Sequence, residues 1–224
     1  MTVPDPASAG ASAGATAPRR ERRKESRPSE LLAAALELFV ERGYAATRLD
    51  DIAARAGVSK GTLYLYFANK EELFKALVRE NIVSLLERFR AEIDGSPAPA
   101  SALVGTFLHS WWREFGATRL AGIAKLILSE AGNFPEVARF FHDEVIRPNN
   151  ELFASILARG VASGEFRPVD VGTAAQLWIS PMVMKAMWTR SFELCGDTCF
   201  SVDPQQMLDA HLELILAALR PAPR

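Results

Sequence analysis

Residues 57–74, GVSKGTLYLYFANKEELF, place two phenols, Tyr64 and Tyr66, beside two ammonium groups, Lys60 and Lys70, and no carboxylate occurs between Ile52 and Lys70. These groups suit a polyanion. Phenols and lysines both donate to phosphate oxygens, and a helix start adds free backbone N–H groups. The spacing supports outward display. Thr62 and Tyr66 are four apart on one helical face and Leu63 and Phe67 lie on the opposite one, so burying the second pair turns the first pair outward. The ring of Tyr64 has a second option, packing against Thr47 or the first helix.

Other chemistries have less support. No serine or cysteine has an evident base partner and no glycine-rich phosphate loop occurs, so an enzyme is not expected. His142, Asp143 and Glu144 are adjacent and point different ways around a helix, a poor arrangement for a metal. Cys195 and Cys199 are too few for a disulfide framework and fit a reducing compartment, either as a plain loop pair or as a redox switch. No cofactor is expected.

The chain has 224 residues, 49 % hydrophobic and 24 % charged, with a net charge of −1. That is ordinary for a globular protein with a sizeable core, and any surface for a polyanion must come from local concentration of charge. No apolar run approaches the roughly 18 residues of a membrane helix, and no basic segment precedes an apolar one at the N-terminus, so a cytoplasmic protein without a span or signal is expected. Residues 1–18 are almost all Ala, Ser, Gly, Thr and Pro and read as a disordered tail. It ends in a basic run, residues 19–27, which is either a solvated stretch or an arm for phosphate.

From Ser29 onward apolar residues recur at three- and four-residue spacing, which predicts an all-α fold of about nine helices. Thr47 with Asp50, Asn69 with Glu72, Asn133 with Glu136 and Asp203 with Gln206 are expected N-cap pairs. Gly43, Gly57, Gly95 and Gly164 are expected helix stops. The early apolar faces are short: Leu32, Ala35, Leu36 and Phe39; Leu49, Ile52, Ala53 and Ala56; Leu63 and Phe67. They must pack on one another. In RAGVSKG, Gly57 ends a helix, Val58 turns inward and Ser59 caps the next helix. So tight a join is the helix-turn-helix arrangement, whose second helix enters the major groove of DNA.

Residues 35–78, ALELFVERGYAATRLDDIAARAGVSKGTLYLYFANKEELFKALV, resemble the DNA-binding domain of the TetR family of bacterial transcriptional regulators. The match rests on Ala35, Phe39, Gly43-Tyr44, Thr47, Ile52-Ala53, Ala56-Gly57-Val58, residues 61–67 and Asn69 to Leu73, in order and at the family's spacing. LSEAGNFPEVARFF and GVASGEFRPVD look like segments of one subgroup of the family's C-terminal domains. The resemblance implies a recognition helix over about residues 59–67, with Ser59 at its start. Lys60, Gly61, Thr62 and Tyr64 would face the groove, and Thr47, Arg48, Tyr66 and Lys70 the phosphates. Arg48 departs from the small hydroxyl residue usual there.

The rest of the chain must do something else. FLHSWWREF is rich in rings that belong to a core on general grounds. The resemblance implies in addition an apolar effector pocket, for which Phe107, Trp111, Leu126, Phe141 and Met182 are the expected lining, with His109 and His142 as candidate polar contacts. The last two helices carry apolar stripes that can be buried internally or against a second copy. The resemblance implies a homodimer through Ala175, Trp178, Leu208, Leu212, Ile215 and Leu219. The expected division is a tail with basic arm over 1–26, a helix-turn-helix domain over 27–74 and a ligand-binding and dimerisation domain over 75–224, joined by a helix from about 70 to 94. The expected function is a transcriptional regulator, a repressor released from a palindromic operator by a small apolar effector. Two rivals are a helical small-molecule-binding protein or enzyme without specific DNA binding, and a nonspecific DNA binder that uses the basic run.

Overall fold

The computed structural model describes residues 19–192 and 202–222; the expected tail over 1–18 and the pair Cys195 and Cys199 lie outside them. Counting each π turn with the helix it continues, the described residues form nine helices and no strand. Three short-range helices come first: α1 (Arg19–Ala46), α2 (Leu49–Arg55) and α3 (Lys60–Tyr64). Then α4 runs Lys70–Val78, through a π turn Arg79–Val83, into Ser84–Asp94. Helix α5 (Ala100–Trp111) continues into a π turn Trp112–Gly116, and α6 spans Ala121–Glu130. Helix α7 runs Pro135–Phe141, through a π turn His142–Ile146, into Arg147–Ala162; α8 (Val171–Phe192) and α9 (Pro204–Leu219) follow.

Helix α1 starts earlier than expected, so the backbone of the basic run 19–26 is helical rather than part of a tail. Beyond Pro28, Leu31, Ala35, Leu38 and Phe39 are buried against α2 and α4. Helix α2 closes as predicted on Gly57 (φ 67°), with Val58 N–H donating to Ala53 O and Gly57 N–H to Ala54 O. That left-handed turn, which a side chain would strain, is what lets α3 start three residues later. Ser59 Oγ accepts the Thr62 N–H at 3.1 Å, and Asn69 and Asp203 cap their helices as expected.

Two expected caps fail. Thr47 is buried, and its hydroxyl lies 2.7 Å from Gly43 O and 3.2 Å from Leu38 O, so it closes α1 instead of opening α2. Asn133 turns back to Glu130, leaving Phe134 at the start of α7 without a side-chain cap. The reason at Thr47 is the break at Gly43 (φ 84°, ψ 169°), which leaves carbonyls at the end of α1 without partners along the helix.

Lys70 completes that repair. Its Nζ donates to Tyr44 O at 2.7 Å, Thr47 O at 3.1 Å and Ala45 O at 3.2 Å, and sits 4.5 Å from the Tyr44 ring centroid. Burial pulls the ammonium below the usual lysine range. Expected on the phosphate side, Lys70 points inward because orphaned carbonyls of a helix end attract a cation. Burial likewise pushes the neighbouring Tyr44 hydroxyl up to about 12. Tyr44 joins Phe39, Phe74 and Phe134 in a ring cluster, 5.5, 5.4 and 4.8 Å away respectively, which ties α1 to α4 and α7.

A second chain of rings crosses the larger half. Phe107 of α5 packs edge-on to Phe89 of α4 at 5.4 Å and to Phe153 of α7 at 4.4 Å, and Phe153 meets Trp178 of α8 at 4.5 Å. Because Lys70 holds the α1 end together, Lys70→Met is expected to lower stability by about 2 kcal/mol, the scale of several lost charged hydrogen bonds. Thermal unfolding of the purified variant checks this; an unchanged melting temperature with weakened DNA binding would restore Lys70 to the phosphate-facing role.

Candidate DNA-binding face and interior cavity

Helix α3, which packs on α2, and the turn that follows it bury Leu63 and Phe67 and turn the other side out. Arg48, Ser59, Lys60, Gly61 and Tyr64 are exposed, Tyr64 at 46 %, while Thr62 and Tyr66 are half-buried. Thr62 is engaged with the Ser59 cap, their hydroxyl oxygens 2.8 Å apart, and Tyr66 packs partly against the core. Thr47 and Lys70 do not belong to this face. Leu65, which sequence reasoning passed over, is 82 % exposed beside Tyr64. Its signal lay in the helical period, since position 65 falls between the buried positions 63 and 67.

The acid-free window is not free of acids in space. Asp50 of α2 lies 2.9 Å from Lys60 Nζ, and its hydrogen bond raises the Lys60 ammonium above the usual range. A cation seen as available from sequence is thus shared with a carboxylate ten residues away. Arg55 of α2 reaches Glu37 and Glu41 of α1 at 2.8 and 3.2 Å, exposed ion pairs that bridge those two helices.

A cavity of about 200 Å³ opens between α4, α5, α6, α7 and α8. Helix α4 contributes Ile82, Leu85, Leu86 and Phe89, a stripe at i, i+3, i+4 and i+7 that was readable but not singled out. Trp111 and Phe115 come from α5, Ile127 from α6, Phe141 and Val145 from α7, and Ile179 and Val183 from α8. Each of the three π turns supplies wall: Ile82, Phe115, and Val145 with Ile146. A π turn displaces the helix register by a residue, which opens space that a regular helix would fill. Leu128 and Ile146 line the cavity and are 62 % and 40 % exposed, so they mark its mouth.

Of the five expected lining residues, Trp111 and Phe141 are on the wall. The other three are not. Phe107 is used in the ring chain with Phe89 and Phe153. Leu126 faces Tyr44 and Val137, one residue round the helix from Ile127. Met182 is 1 % exposed in the core, while Ile179 and Val183 take the cavity side of α8. A residue's neighbour in sequence lies about 100° away on a helix, so type alone cannot choose the face. His109 is 3.3 Å from Gln205 and His142 is 3.0 Å from Asp143; neither lines the cavity.

The expected dimer residues of the last two helices sit wholly or partly inside their own chain. Ala175, Trp178, Leu208 and Leu219 are buried in their own chain, and Leu212 and Ile215 are half-buried against its core. The opposite stripes are the exposed ones: Leu177, Met184 and Trp188 on α8, and Leu214 on α9, at 70, 55, 40 and 70 %. Helices apolar on two sides leave the choice of inner side to packing, and on α8 the stripe holding Trp178 packs on α7, where its ring lies 4.5 Å from that of Phe153. Among the described residues no group of His, Cys, Asp and Glu is placed to hold a metal, and no helix is long and apolar enough to cross a membrane.

Comparisons with known proteins agree on one family. Residues 31–77 match the family model described as bacterial regulatory proteins, tetR family, and residues 104–194 match a tetracyclin repressor-like C-terminal domain. The HTH-type transcriptional repressor KstR2 of Mycolicibacterium smegmatis is 33 % identical over 64 % of this chain and 69 % of its own. The fatty acid metabolism regulator protein of Bacillus subtilis is 29 % identical over 69 % of this chain and 79 % of its own. The crystal structure of FadR from Bacillus subtilis in complex with stearoyl-CoA superposes with a TM-score of 0.72 at 25 % identity, covering 86 % of this chain and 99 % of that one.

Releasing Lys60 from its carboxylate should be measurable on duplex DNA. Asp50→Asn is expected to tighten binding to all sequences alike and to steepen the logarithmic salt dependence by about one, the value for one added phosphate contact. Titrations at several salt concentrations check it, and an unchanged slope would mean that Lys60 meets no phosphate.

Proposed function

We propose, from the premise that this chain belongs to the tetR family of bacterial regulatory proteins and is a ligand-responsive DNA-binding transcriptional repressor, that it acts as a homodimer. In this reading it leaves a palindromic operator when an apolar molecule enters the cavity. The observation that carries the proposal is the double use of α6. Its Ala124, Ile127 and Leu128 line the cavity, while its Gly122 lies against Val40 of α1 and Glu130 Oε1 accepts the Ala45 N–H at 3.4 Å. A ligand that spreads the cavity displaces α6, and α1 must follow, because close-packed helices transmit rather than absorb such shifts. The ligand binds the released state better than the DNA-bound one, and release is a shift in population.

On the DNA side, α3 enters the major groove. Gly61 and Tyr64 face base edges with Leu65, whose side chain suits a thymine methyl group, and Arg48, Tyr66 and a Lys60 that parts from Asp50 face the backbone. Thr47 and Lys70 support the head from inside. The acyl chain of the ligand seen in the Bacillus subtilis relative is the class of molecule this lining favours. Function divides within α4, whose first turns pack on the head and whose later turns wall the cavity. A DNA partner places the protein in the cytoplasm.

The dimer rests on the exposed stripes of α8 and α9, Leu177, Met184, Trp188 and Leu214, large apolar side chains of the kind that mark an interaction surface when they cluster. Two copies joined there carry two heads, as required to read half-sites about 34 Å apart. Trp188→Arg with Leu214→Arg is expected to yield a monomer in size-exclusion chromatography and to abolish operator binding while keeping the helical spectrum. A dimer that survived both changes would move the interface elsewhere.

A band-shift experiment tests the whole reading, using a palindrome from the gene's own upstream region against random DNA. Salt-sensitive preference for the palindrome and its loss on adding stearoyl-CoA are expected. Ile127→Trp, which fills the cavity, should still bind the palindrome but no longer release it. Absence of any preference would overturn the regulator reading, and release that persisted in Ile127→Trp would remove the cavity from it.

A further inference from the structure

Two amides, Asn149 and Asn150, interrupt an otherwise apolar lining. Asn150 is half-buried, but Asn149 is only 8 % exposed, and its Oδ1 is buried without a hydrogen-bond partner among the described residues. An unpaired buried amide oxygen is costly, and a leucine of similar volume in the same place would avoid the cost. Something that enters the cavity has to repay it.

We infer that the effector carries a hydroxyl group on an apolar skeleton and that Asn149 holds it; this rests on the cavity being the effector site. A hydroxyl both donates and accepts, so it satisfies the amide whichever way its oxygen and nitrogen are turned. A carboxylate does not fit. No lysine or arginine is on the lining, and a charge desolvated among Leu85, Phe89, Trp111 and Ile179 would stay unpaired. The skeleton is a chain or a fused ring system, since both present the same apolar surface. The place of the hydroxyl also follows. Asn149 is three residues beyond Ile146 on α7, so the group sits about one helical turn, roughly 5 Å, from the mouth that Ile146 and Leu128 mark.

The selectivity of Asn149 is read by titrating the protein in a background with Trp112, Trp178 and Trp188 replaced by phenylalanine and following the fluorescence of Trp111, whose ring is on the cavity wall, with isothermal calorimetry on the unsubstituted protein as the parallel measurement. The probes are decane, the decanols with the hydroxyl at successive chain positions, and a ring pair, 5α-androstane and its 3-hydroxy derivative, none of which carries a charge. The wild type is expected to bind at least one hydroxylated probe about tenfold tighter than its unsubstituted parent, the scale of one satisfied buried polar group. Chain and ring arms identify the skeleton. Asn149→Leu should bind the parents as well or better, lose the preference, and melt at a higher temperature than the ligand-free wild type. Equal binding of hydroxylated and parent probes by the wild type, or a preference that survives in Asn149→Leu, overturns the inference while leaving the cavity reading in place. Failure of every probe to bind the wild type, or binding that Ile127→Trp does not block, overturns the cavity reading and the inference with it.

Discussion

A Cβ on Gly122 would lie 2.8 Å from a methyl of Val40, so the close approach of α6 to α1 at this point relies on position 122 having no side chain. The rest of the molecule depends on that close approach. Helix α6 is short, and one side of it is committed to the cavity through Ala124 and Ile127. With the other side seated on α1, and with Glu130 reaching the Ala45 amide, it has little freedom to move without the head. The ring contact of Tyr44 with Phe134, at the start of α7, reinforces the same junction. In the proposed reading, an effector would act on DNA binding through this packing, with no charge or covalent change in between.

The cavity itself comes from irregular helices. Long helices α4, α5 and α7 each contain a π turn where they pass the cavity, and each turn contributes wall residues. Regular helices at the same crossings would interdigitate and leave no room. Pro148 belongs to the same region of α7: lacking an N–H, it cannot donate to the carbonyl four residues back. Space for a ligand is thus purchased with helix regularity rather than with empty volume in the ring-packed core around Phe107, Phe153 and Trp178.

Much of the head was legible because its signals are local. Gly57, Ser59 and Asn69 act within three residues of themselves, and the burial of Leu63 and Phe67 follows from their spacing. The misreadings there involve partners distant in the chain. Lys70 looked like a phosphate contact until the carbonyls of Tyr44, Ala45 and Thr47, more than twenty residues away, were beside it. Thr47 was assigned as the cap of the next helix, but the break at Gly43 gave it a nearer need. Lys60 stands in a stretch without acids, yet Asp50 comes to it across the α2–α3 turn.

By itself, the sequence determined the all-helical class, the order of the helices, the turn that positions α3 and the family, since periodicity, capping and glycine stops act over a few residues. It also showed that α8 and α9 carry apolar residues at helical spacing, open to burial inside the chain or against a second copy. Tertiary structure alone decided which stripe of each helix turns inward. Trp178 and Met182 were drawn into the core while Leu177, Met184 and Trp188 were left outside, and Ile127 rather than Leu126 faces the cavity. Neighbouring positions on a helix differ by about 100°, so similar side chains are assigned to core, cavity or surface by the neighbours that arrive, and those neighbours are distant in sequence.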